Sequence, residues 1–211
     1  MILVARLRTL LVLCGLVAAT GLTRTGVASP AAADSAATTP DSTASKHWDV
    51  ANPGLPCDTL DFVAEDGAWI SVDVDPTGTR LVFDLLGDIY SLPIAGGEAT
   101  LLSGGLPYEV QPRFSPDGKR ILFTSDRGGG DNLWVMDRDG KNPTAVSKET
   151  FRLLNSPAWT PDGQYIAGRK HFTAQRSAGA GEIWLYHRTG GDGLEMTTKP
   201  NDQKDAGEPA F

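Results

Sequence analysis

The segment Gln111–Asp139, QPRFSPDGKRILFTSDRGGGDNLWVMDRD, contains the pattern that decides the fold. A turn at Ser115–Gly118 precedes the apolar run Ile121–Phe123, and a glycine-rich loop then leads to a second strand-like run centred on Trp134. Proline presets φ at the first central position of such a turn, and glycine accepts the positive φ that follows. The segment therefore predicts a turn, a buried strand, a loop and a second strand.

The same pattern occurs on both sides of this segment. Asp75–Gly78 precedes Leu81–Phe83, and Thr160–Gly163 precedes Tyr165–Ala167. The turn prolines lie 40 (116 − 76) and 45 (161 − 116) residues apart. Repeats of this length that consist of strands and turns are typical of β-propeller blades, which have four strands each. We therefore predict an all-β fold, with about three propeller blades and the start of a fourth over residues 69–211.

Two further strand predictions complete this picture. The middle unit gains a fourth, outer strand at Thr144–Ser147. Before the first blade, residues 48–68 form a lead-in that includes a hairpin. Its strands would be Thr59–Ala64 and Trp69–Val74, because the turn between them contains an Asp-Gly pair, which is typical of two-residue hairpin loops.

The N-terminal segment, residues 1–33, has the layout of a secretory signal peptide. Arg6 and Arg8 precede the apolar run Leu10–Ala19, and small residues that suit cleavage follow. An uncleaved membrane anchor is the alternative. Residues 34–47 are rich in Ala, Ser, Thr and Pro and are predicted to be a flexible linker. We therefore expect an exported protein, periplasmic or secreted, with no membrane span after signal cleavage.

Composition restricts the possible partners. The chain has a formal net charge of −7, from 19 basic and 26 acidic residues. Removal of the signal peptide would leave 16 (19 − 3) basic residues and a balance of −10. An acidic surface without a basic cluster argues against nucleic acid or an anionic membrane as the main partner, so no nucleic-acid partner is expected. Cys57 would be the only remaining cysteine, so no internal disulfide is expected.

Three aromatic residues, Tyr90, Trp134 and Trp184, occupy the same position in successive repeats. They could form a stacking surface for a ligand, but we favour packing in the core between blades. Asp126 and Arg127 lie in the glycine-rich loop of the middle unit and are predicted to pair locally and hold that loop.

One loop is longer than its counterpart and carries positive charge. Ile166 and Ile183 are 17 (183 − 166) residues apart, whereas the equivalent distance in the middle unit is 12 (133 − 121). The extra length falls within residues 169–181, and it includes Arg169, Lys170, His171 and Arg176. In an acidic protein, this loop is a candidate docking or ligand loop. A solvated loop without a partner is the alternative.

Patterns that indicate catalysis are absent from these 211 residues. The three histidines do not form a His-x-His or His-x-x-x-His pair, and no Cys-x-x-Cys motif occurs. No Gly-x-Ser-x-Gly elbow is present, and Gly128–Gly130 is not followed by the Lys-Ser/Thr of a phosphate-binding loop. We therefore predict no catalytic residues, no metal ligands and no cofactor in this segment.

The last residues repeat the beginning of a blade. Glu208–Phe211 parallels Gln111–Phe114, which directly precedes the Ser-Pro-Asp-Gly turn. An arc of three blades would leave apolar faces and strand edges exposed, whereas complete propellers close on themselves. We therefore expect this sequence to belong to a longer protein.

The units Phe114–Ile121 and Asn132–Asp137 resemble the repeat of TolB-type propellers, and this resemblance covers residues 69–211. Less generic stretches are similar to the N-terminal propeller of large exported bacterial proteins of the amidohydrolase family. These stretches are Phe83–Tyr90, Ser125–Asp131, Lys148–Asn155, Arg169–Phe172 and Gly181–Tyr186.

The amidohydrolase resemblance implies a metal-dependent hydrolase of C–N bonds. A divalent metal, zinc, would activate water in a domain beyond Phe211, and the propeller would bind or gate a peptide or small amide substrate and dock that domain. Two alternatives stay open. One is a TolB-like periplasmic propeller that binds proteins and has no enzyme domain; the other is the propeller of a prolyl-oligopeptidase-like serine peptidase.

Replacement of Trp134 by alanine in the full-length protein tests the core assignment. We expect Trp134→Ala to lower the free energy of unfolding by about 3–5 kcal/mol, as for other large core aromatics. Denaturant unfolding measures this change. A loss below about 1 kcal/mol, together with loss of ligand binding, would indicate a stacking surface instead.

Overall fold

The computed structural model describes residues 5–11, 49–54, 58–64, 66–151, 153–171, 181–198 and 207–211, and every regular element within them is a β-strand. The strands form three four-stranded sheets and one two-stranded sheet. The predicted all-β fold with four-stranded units is confirmed. The three larger sheets are named blades 1, 2 and 3 in chain order.

Each blade is an antiparallel meander in which spatial order follows chain order. Blade 1 consists of β3 (Val72–Val74), β4 (Arg80–Leu85), β5 (Asp88–Pro93) and β6 (Thr100–Ser103), after the two-stranded sheet of β1 (Ala5–Leu11) and β2 (Asp58–Ala64). Blade 2 consists of β7 (Glu109–Phe114), β8 (Arg120–Ser125), β9 (Asn132–Asp137) and β10 (Thr144–Ala145). Blade 3 consists of β11 (Leu154–Trp159), β12 (Tyr165–His171), β13 (Gly181–His187) and β14 (Leu194–Glu195).

The turn between the first two strands of each blade follows from its sequence. In blade 2, the hydroxyl of Ser115 donates to the Asp117 carboxylate at 2.6 Å, and the same carboxylate accepts from the amide of Lys119 at 3.1 Å. These bonds, the hydroxyl bond foremost, lower the pKa of Asp117. Gly118 has φ of +67°, which glycine adopts without steric cost. Local hydrogen bonding and one glycine are therefore enough to specify this turn.

The apolar run Ile121–Phe123 in β8 is fully buried because both faces of blade 2 are covered. Alternate residues of a strand point to opposite faces. Ile121 and Phe123 accordingly pack in a cluster with Val82 and Ile89 of blade 1, and Leu122 packs in a separate cluster with residues of blade 3. The blade 3 members of that second cluster are Leu154, Trp159, Ile166 and Tyr186.

Adjacent blades also approach closely through their turns. The guanidinium of Arg138 donates to the buried carboxylate of Asp75 at 2.8 Å, which links a turn of blade 2 to a turn of blade 1. The hydroxyl of Thr77 and nearby backbone amides lower the pKa of Asp75 far below its usual range, so this carboxyl stays ionised. Gly140 lies directly against the backbone of Leu102 in blade 1.

The pairing before blade 1 differs from the prediction. β2 pairs with β1, from Ala5 opposite Ala64 to Leu11 opposite Asp58, and β3 pairs with β4. The strand-like runs on either side of the Asp-Gly turn are therefore not paired with each other, and the predicted hairpin is wrong. Part of the predicted signal peptide lies in β1, whereas the predicted linker, residues 34–47, lies outside the described residues. Signal cleavage stays a prediction.

Replacement of Gly140 by alanine tests the close approach of blades 1 and 2. A Cβ atom at Gly140 would clash with the carbonyl of Leu102, and φ is +85° there. We expect Gly140→Ala in the full-length protein to lower the free energy of unfolding by about 2–4 kcal/mol, from overpacking and backbone strain together.

Gly78→Ala is the matched control, because Gly78 has φ of +70° and a Cβ atom added there would meet no other atom within 4 Å. It should lower the free energy of unfolding by only about 1 kcal/mol, the cost of the left-handed conformation. Equal losses in chemical denaturation for the two variants would contradict close packing at Gly140.

Candidate functional site

The first strands of the three blades, β3, β7 and β11, lie next to each other and line a groove of about 560 Å³. We call it the inner-strand groove. Each of these strands is the edge of its sheet and has a partner strand on one side only. Its polar and aromatic lining includes Asp73, Gln111, Arg113, Ser156, Trp159, Glu208 and Phe211.

The inner strands bend at equivalent positions. The register shifts between Val110 and Arg113 in β7 and between Asn155 and Ala158 in β11. Gln111 and Ser156, which each precede a proline, have φ of +58° and +50°. Bulges of this kind bend a strand and turn its side chains in a new direction. Here they direct the polar residues at these positions towards the groove and the next blade.

A chain of hydrogen bonds crosses the blades at these bends. The amide of Gln111 donates to the Asp84 carboxylate of blade 1 at 2.6 Å, and the Gln111 side-chain oxygen accepts from the amide of Ser156 in blade 3 at 2.7 Å. The hydroxyl of Ser156 in turn donates to the Glu208 carboxylate at 3.3 Å. Blades 1 and 2 therefore each accept from a backbone amide of the following blade, and Glu208 accepts from the Ser156 hydroxyl of blade 3.

Arg113 is the cationic residue of the groove. One of its terminal nitrogens donates to the carbonyl of Pro112 at 2.9 Å. A guanidinium has five N–H donors, so further donors can reach a carboxylate or carbonyl of a ligand. Asp73 accepts from the amide of Phe114 at 2.8 Å, and Trp159 donates to the carbonyl of Arg113 at 3.4 Å. These bonds fix the walls on either side of Arg113.

The predicted docking loop is placed differently by the structure. Arg169, Lys170 and His171 lie in β12 rather than in a loop, and Lys170 and His171 are buried. Arg176 lies outside the described residues. The assignment of the first three residues to an exposed loop is therefore wrong. A docking role for this region stays a prediction.

Lys170 is part of a buried polar network between blades 2 and 3. Its ammonium lies 2.8 Å from a carboxylate oxygen of Glu149 and 3.8 Å from the centre of the Trp184 ring. The hydroxyl of Tyr186 donates to the same Glu149 oxygen at 3.0 Å. Burial, and secondarily the charge of Glu149, raises the pKa of Tyr186 well above its usual range. The lysine is thereby compensated by a carboxylate and an aromatic face.

The three aromatic residues of the repeat lie on the side of each blade that faces the preceding part of the chain. Tyr90 is 1% exposed and packs in a cluster with Phe83, against which Ala64 of β2 also packs. Trp134 packs against the cluster between blades 1 and 2, and Trp184 against the cluster between blades 2 and 3.

Arg127 pairs with Glu109, a partner that the local sequence around Arg127 does not indicate. It forms a salt bridge with Glu109, whose side chain is fully buried at the start of β7, and it donates to the hydroxyl of Ser103 at 2.9 Å. Its guanidinium also lies 5.3 Å from the Trp134 ring centre. Asp126 accepts from the amide of Tyr108 at 2.8 Å. Both residues therefore hold the loop to the beginning of the inner strand rather than to each other.

Asp88 is a buried carboxyl group next to this salt bridge. It is 5% exposed, and one of its oxygens accepts from the amide of Gly105 at 3.1 Å. Burial, with a smaller contribution from the charge of Glu109, raises the pKa of Asp88 to about 6. Ionisation of Asp88 therefore opposes folding.

Two kinds of feature are not found among the described residues. No group of three or more His, Cys, Asp or Glu side chains among them is arranged to hold a metal ion. In the same part of the chain, no helix is long and apolar enough to cross a bilayer.

No protein-family profile matches the chain. Solved structures of two TolB proteins resemble it. The structure from Agrobacterium tumefaciens has a TM-score of 0.56 and 20% identity, and the match covers 71% of this chain and 58% of that one. The structure from Acinetobacter baumannii has a TM-score of 0.51 and 20% identity, and the match covers 71% of this chain and 37% of that one. The three sheets are blades of a TolB-like β-propeller. At this level of identity, the TolB-like structures establish the fold alone.

Two curated relatives are proteases. The chain is 25% identical over 145 residues to a Tricorn-like protease C-terminal subunit of Sulfurisphaera tokodaii, and this match covers 69% of this chain and 16% of that relative. It is 28% identical over 92 residues to Tricorn protease homolog 1 of Streptomyces coelicolor, and this match covers 44% of this chain and 9% of that relative. The chain thus spans a small part of these relatives. They lend no support to the amidohydrolase resemblance.

The pH dependence of stability tests the environment of Asp88. The pKa of Asp88 in the folded protein lies above the ordinary value of 3.8, so its stabilising protonated form is present below pH 4 and is lost as the pH rises to about 6. Asp88→Asn keeps an oxygen that can accept from Gly105 but carries no charge. We expect the variant to gain about 1–2 kcal/mol over the parent protein between pH 4 and 7, once solvent screening is allowed for.

Asp117→Asn is the control with the opposite sign. The pKa of Asp117 is lowered, so its stabilising ionised form is lost as the pH falls. Replacement of Asp117 should therefore destabilise the protein at pH 7 and have less effect at pH 3. Thermal unfolding at several pH values measures both differences, and a pH-independent difference for Asp88→Asn would refute the buried environment.

Proposed function

We propose that residues 69–211 are a non-catalytic propeller region that binds peptide or small amide substrates for a larger exported hydrolase of C–N bonds. The observation that carries this proposal is the inner-strand groove. It combines three sheet-edge strands, whose amides at Gln111, Phe114 and Ser156 already donate to side chains, with the donors of Arg113 and the aromatic rings of Trp159 and Phe211. Strand edges recognise extended peptides through main-chain hydrogen bonds, and side-chain pockets add selectivity.

The protease relatives support a substrate of the peptide class. Their matched regions are a small share of their length, so the catalytic machinery of the whole protein is part of the proposal. The amidohydrolase resemblance of the sequence is compatible with the same bond type. The described residues, however, do not fit a zinc centre, and no catalytic step is assigned to them. The signal-peptide layout of residues 1–33 supports export.

Kinetics of a groove variant test this role. Arg113→Ala in the full-length protein should raise KM for peptide substrates about tenfold and leave kcat unchanged, because it removes binding that is equal in the ground and transition states. Lys148→Ala is the matched control, since Lys148 is exposed and does not line the groove. An unchanged KM in a folded Arg113→Ala protein would overturn the groove assignment.

Two reagents separate the candidate chemistries of the whole protein. Loss of activity with a chelator, and its return with zinc, would indicate a metal-dependent amidohydrolase. Labelling by a fluorophosphonate would indicate a serine peptidase. Peptide binding without any hydrolysis would instead indicate a TolB-like binding propeller without an enzyme domain.

A further inference from the structure

A second cavity, of about 620 Å³, lies beside the tight turn between β4 and β5. We call it the turn pocket. It adjoins the inner-strand groove through Gln111 but is lined otherwise by different residues. The lining residues that matter most are Trp69, Ser71, Asp84, Leu86, Tyr108 and Gln111.

Left-handed backbone conformations are concentrated at this pocket. Trp69, Leu86 and Gln111 have φ of +64°, +55° and +58°, and they are three of the five non-glycine residues with positive φ in the described part of the chain. This conformation is unfavourable for L-residues with bulky side chains. Such strain persists where the surrounding structure enforces it, and it clusters at ligand sites.

The turn at Leu86-Gly87 does not require a leucine at its left-handed first position. φ is positive at both central residues, as in type I′ turns, for which Asn-Gly is the favoured pair. The chain has leucine at the first position, and its side chain is 59% exposed. The side chain of Trp69 is likewise almost fully in solvent, at 99% exposed. Two large apolar groups are thus presented to solvent by unfavourable backbone conformations.

The chemistry of the pocket selects a cation. Asp84 is 5% exposed, and its carboxylate accepts from the amides of Ser71 at 3.0 Å and Gln111 at 2.6 Å. The side chain of Ser71 also donates to this carboxylate and the charge of Arg113 acts on it, so about one of its four acceptor positions is left for a ligand. Burial raises the pKa of Asp84 despite these hydrogen bonds. A bound cation would stabilise the ionised form.

The walls add aromatic and apolar surface to this carboxylate. Tyr108 is 44% exposed, and Gly87 allows its ring to approach the turn, because a Cβ atom at Gly87 would lie 3.1 Å from a ring carbon. Aromatic faces attract ammonium groups through the ring quadrupole. We infer that the turn pocket binds a primary ammonium group on an apolar body, as found in a free aralkylamine or at the amino terminus of an apolar peptide.

Calorimetric titration of the full-length protein tests this inference with defined probes. The probes are 2-phenylethylamine, the dipeptide Leu-Phe-amide and N-acetyl-Leu-Phe-amide. We expect acetylation, which removes the charge, to raise Kd of the dipeptide about tenfold or more. Tighter binding of the dipeptide than of the amine would identify a peptide terminus as the ligand, and the reverse a small amine. Equal binding of the acetylated and free dipeptides, or no binding of either amine at millimolar concentration, would overturn the inference.

Leu86→Asn separates ligand binding from folding, because asparagine suits the left-handed position better than leucine. We expect an unchanged or higher Tm and a Kd for the amine raised about fivefold or more, since one apolar wall is removed. Trp69→Gly should behave in the same way. Ile94→Asn is the matched control, because Ile94 is 51% exposed in the β5–β6 turn and does not line the pocket. A fall in Tm for Leu86→Asn alone would instead indicate that the rest of the protein packs on Leu86, and it would refute a ligand pocket.

The inference does not depend on the proposed hydrolase. Activity of the whole protein and the Kd of the ammonium probes are separate measurements. Arg113→Ala is expected to change the activity, and Leu86→Asn is expected to change the Kd of the ammonium probes.

Discussion

Burial of both faces of the middle blade, blade 2, is the constraint on which the rest of the structure depends. The side chains of Ile121 and Phe123 pack towards blade 1 and that of Leu122 towards blade 3, and all three are fully buried. Each such side chain contributes about 1.5–3 kcal/mol when it is removed from water. This contribution exists only while the neighbouring blades are in place. Blade 2 therefore has no complete core of its own and depends on blades 1 and 3.

Buried ion pairs set the geometry at one end of the blades. Arg127 joins a loop of blade 2 to Glu109, and Lys170 of β12 joins Glu149, which follows β10. Pairs of this kind contribute little net stability, because desolvation offsets much of the attraction, but removal of one partner is costly. They therefore act mainly as positional restraints on the connections between strands. The apolar clusters supply the stability, and the ion pairs determine where the connecting segments lie.

The sequence predicts those parts of the fold that local chemistry determines. The Ser115–Gly118 turn is specified by its own hydrogen bonds and one glycine, and the apolar run after it must be buried on both faces. Pairing between distant segments is not encoded locally. The Asp-Gly turn after β2 indicated a hairpin, but β2 pairs with a segment near the N-terminus. Arg169–His171 was predicted to lie in a basic loop for a similar reason, because Glu149, the partner of Lys170, lies in the connection between blades 2 and 3.

The inner-strand groove and the turn pocket differ in whether other interactions compensate for their left-handed backbone conformations. At the inner-strand groove, the left-handed positions Gln111 and Ser156 recur in the repeat, and their amides donate to Asp84 and Gln111. These hydrogen bonds connect the blades, so the strain there serves the architecture. Trp69 and Leu86 adopt the same backbone region with side chains that lie largely in solvent, so little burial offsets the cost. A large apolar side chain held in solvent at a left-handed position is the stronger indication of a ligand.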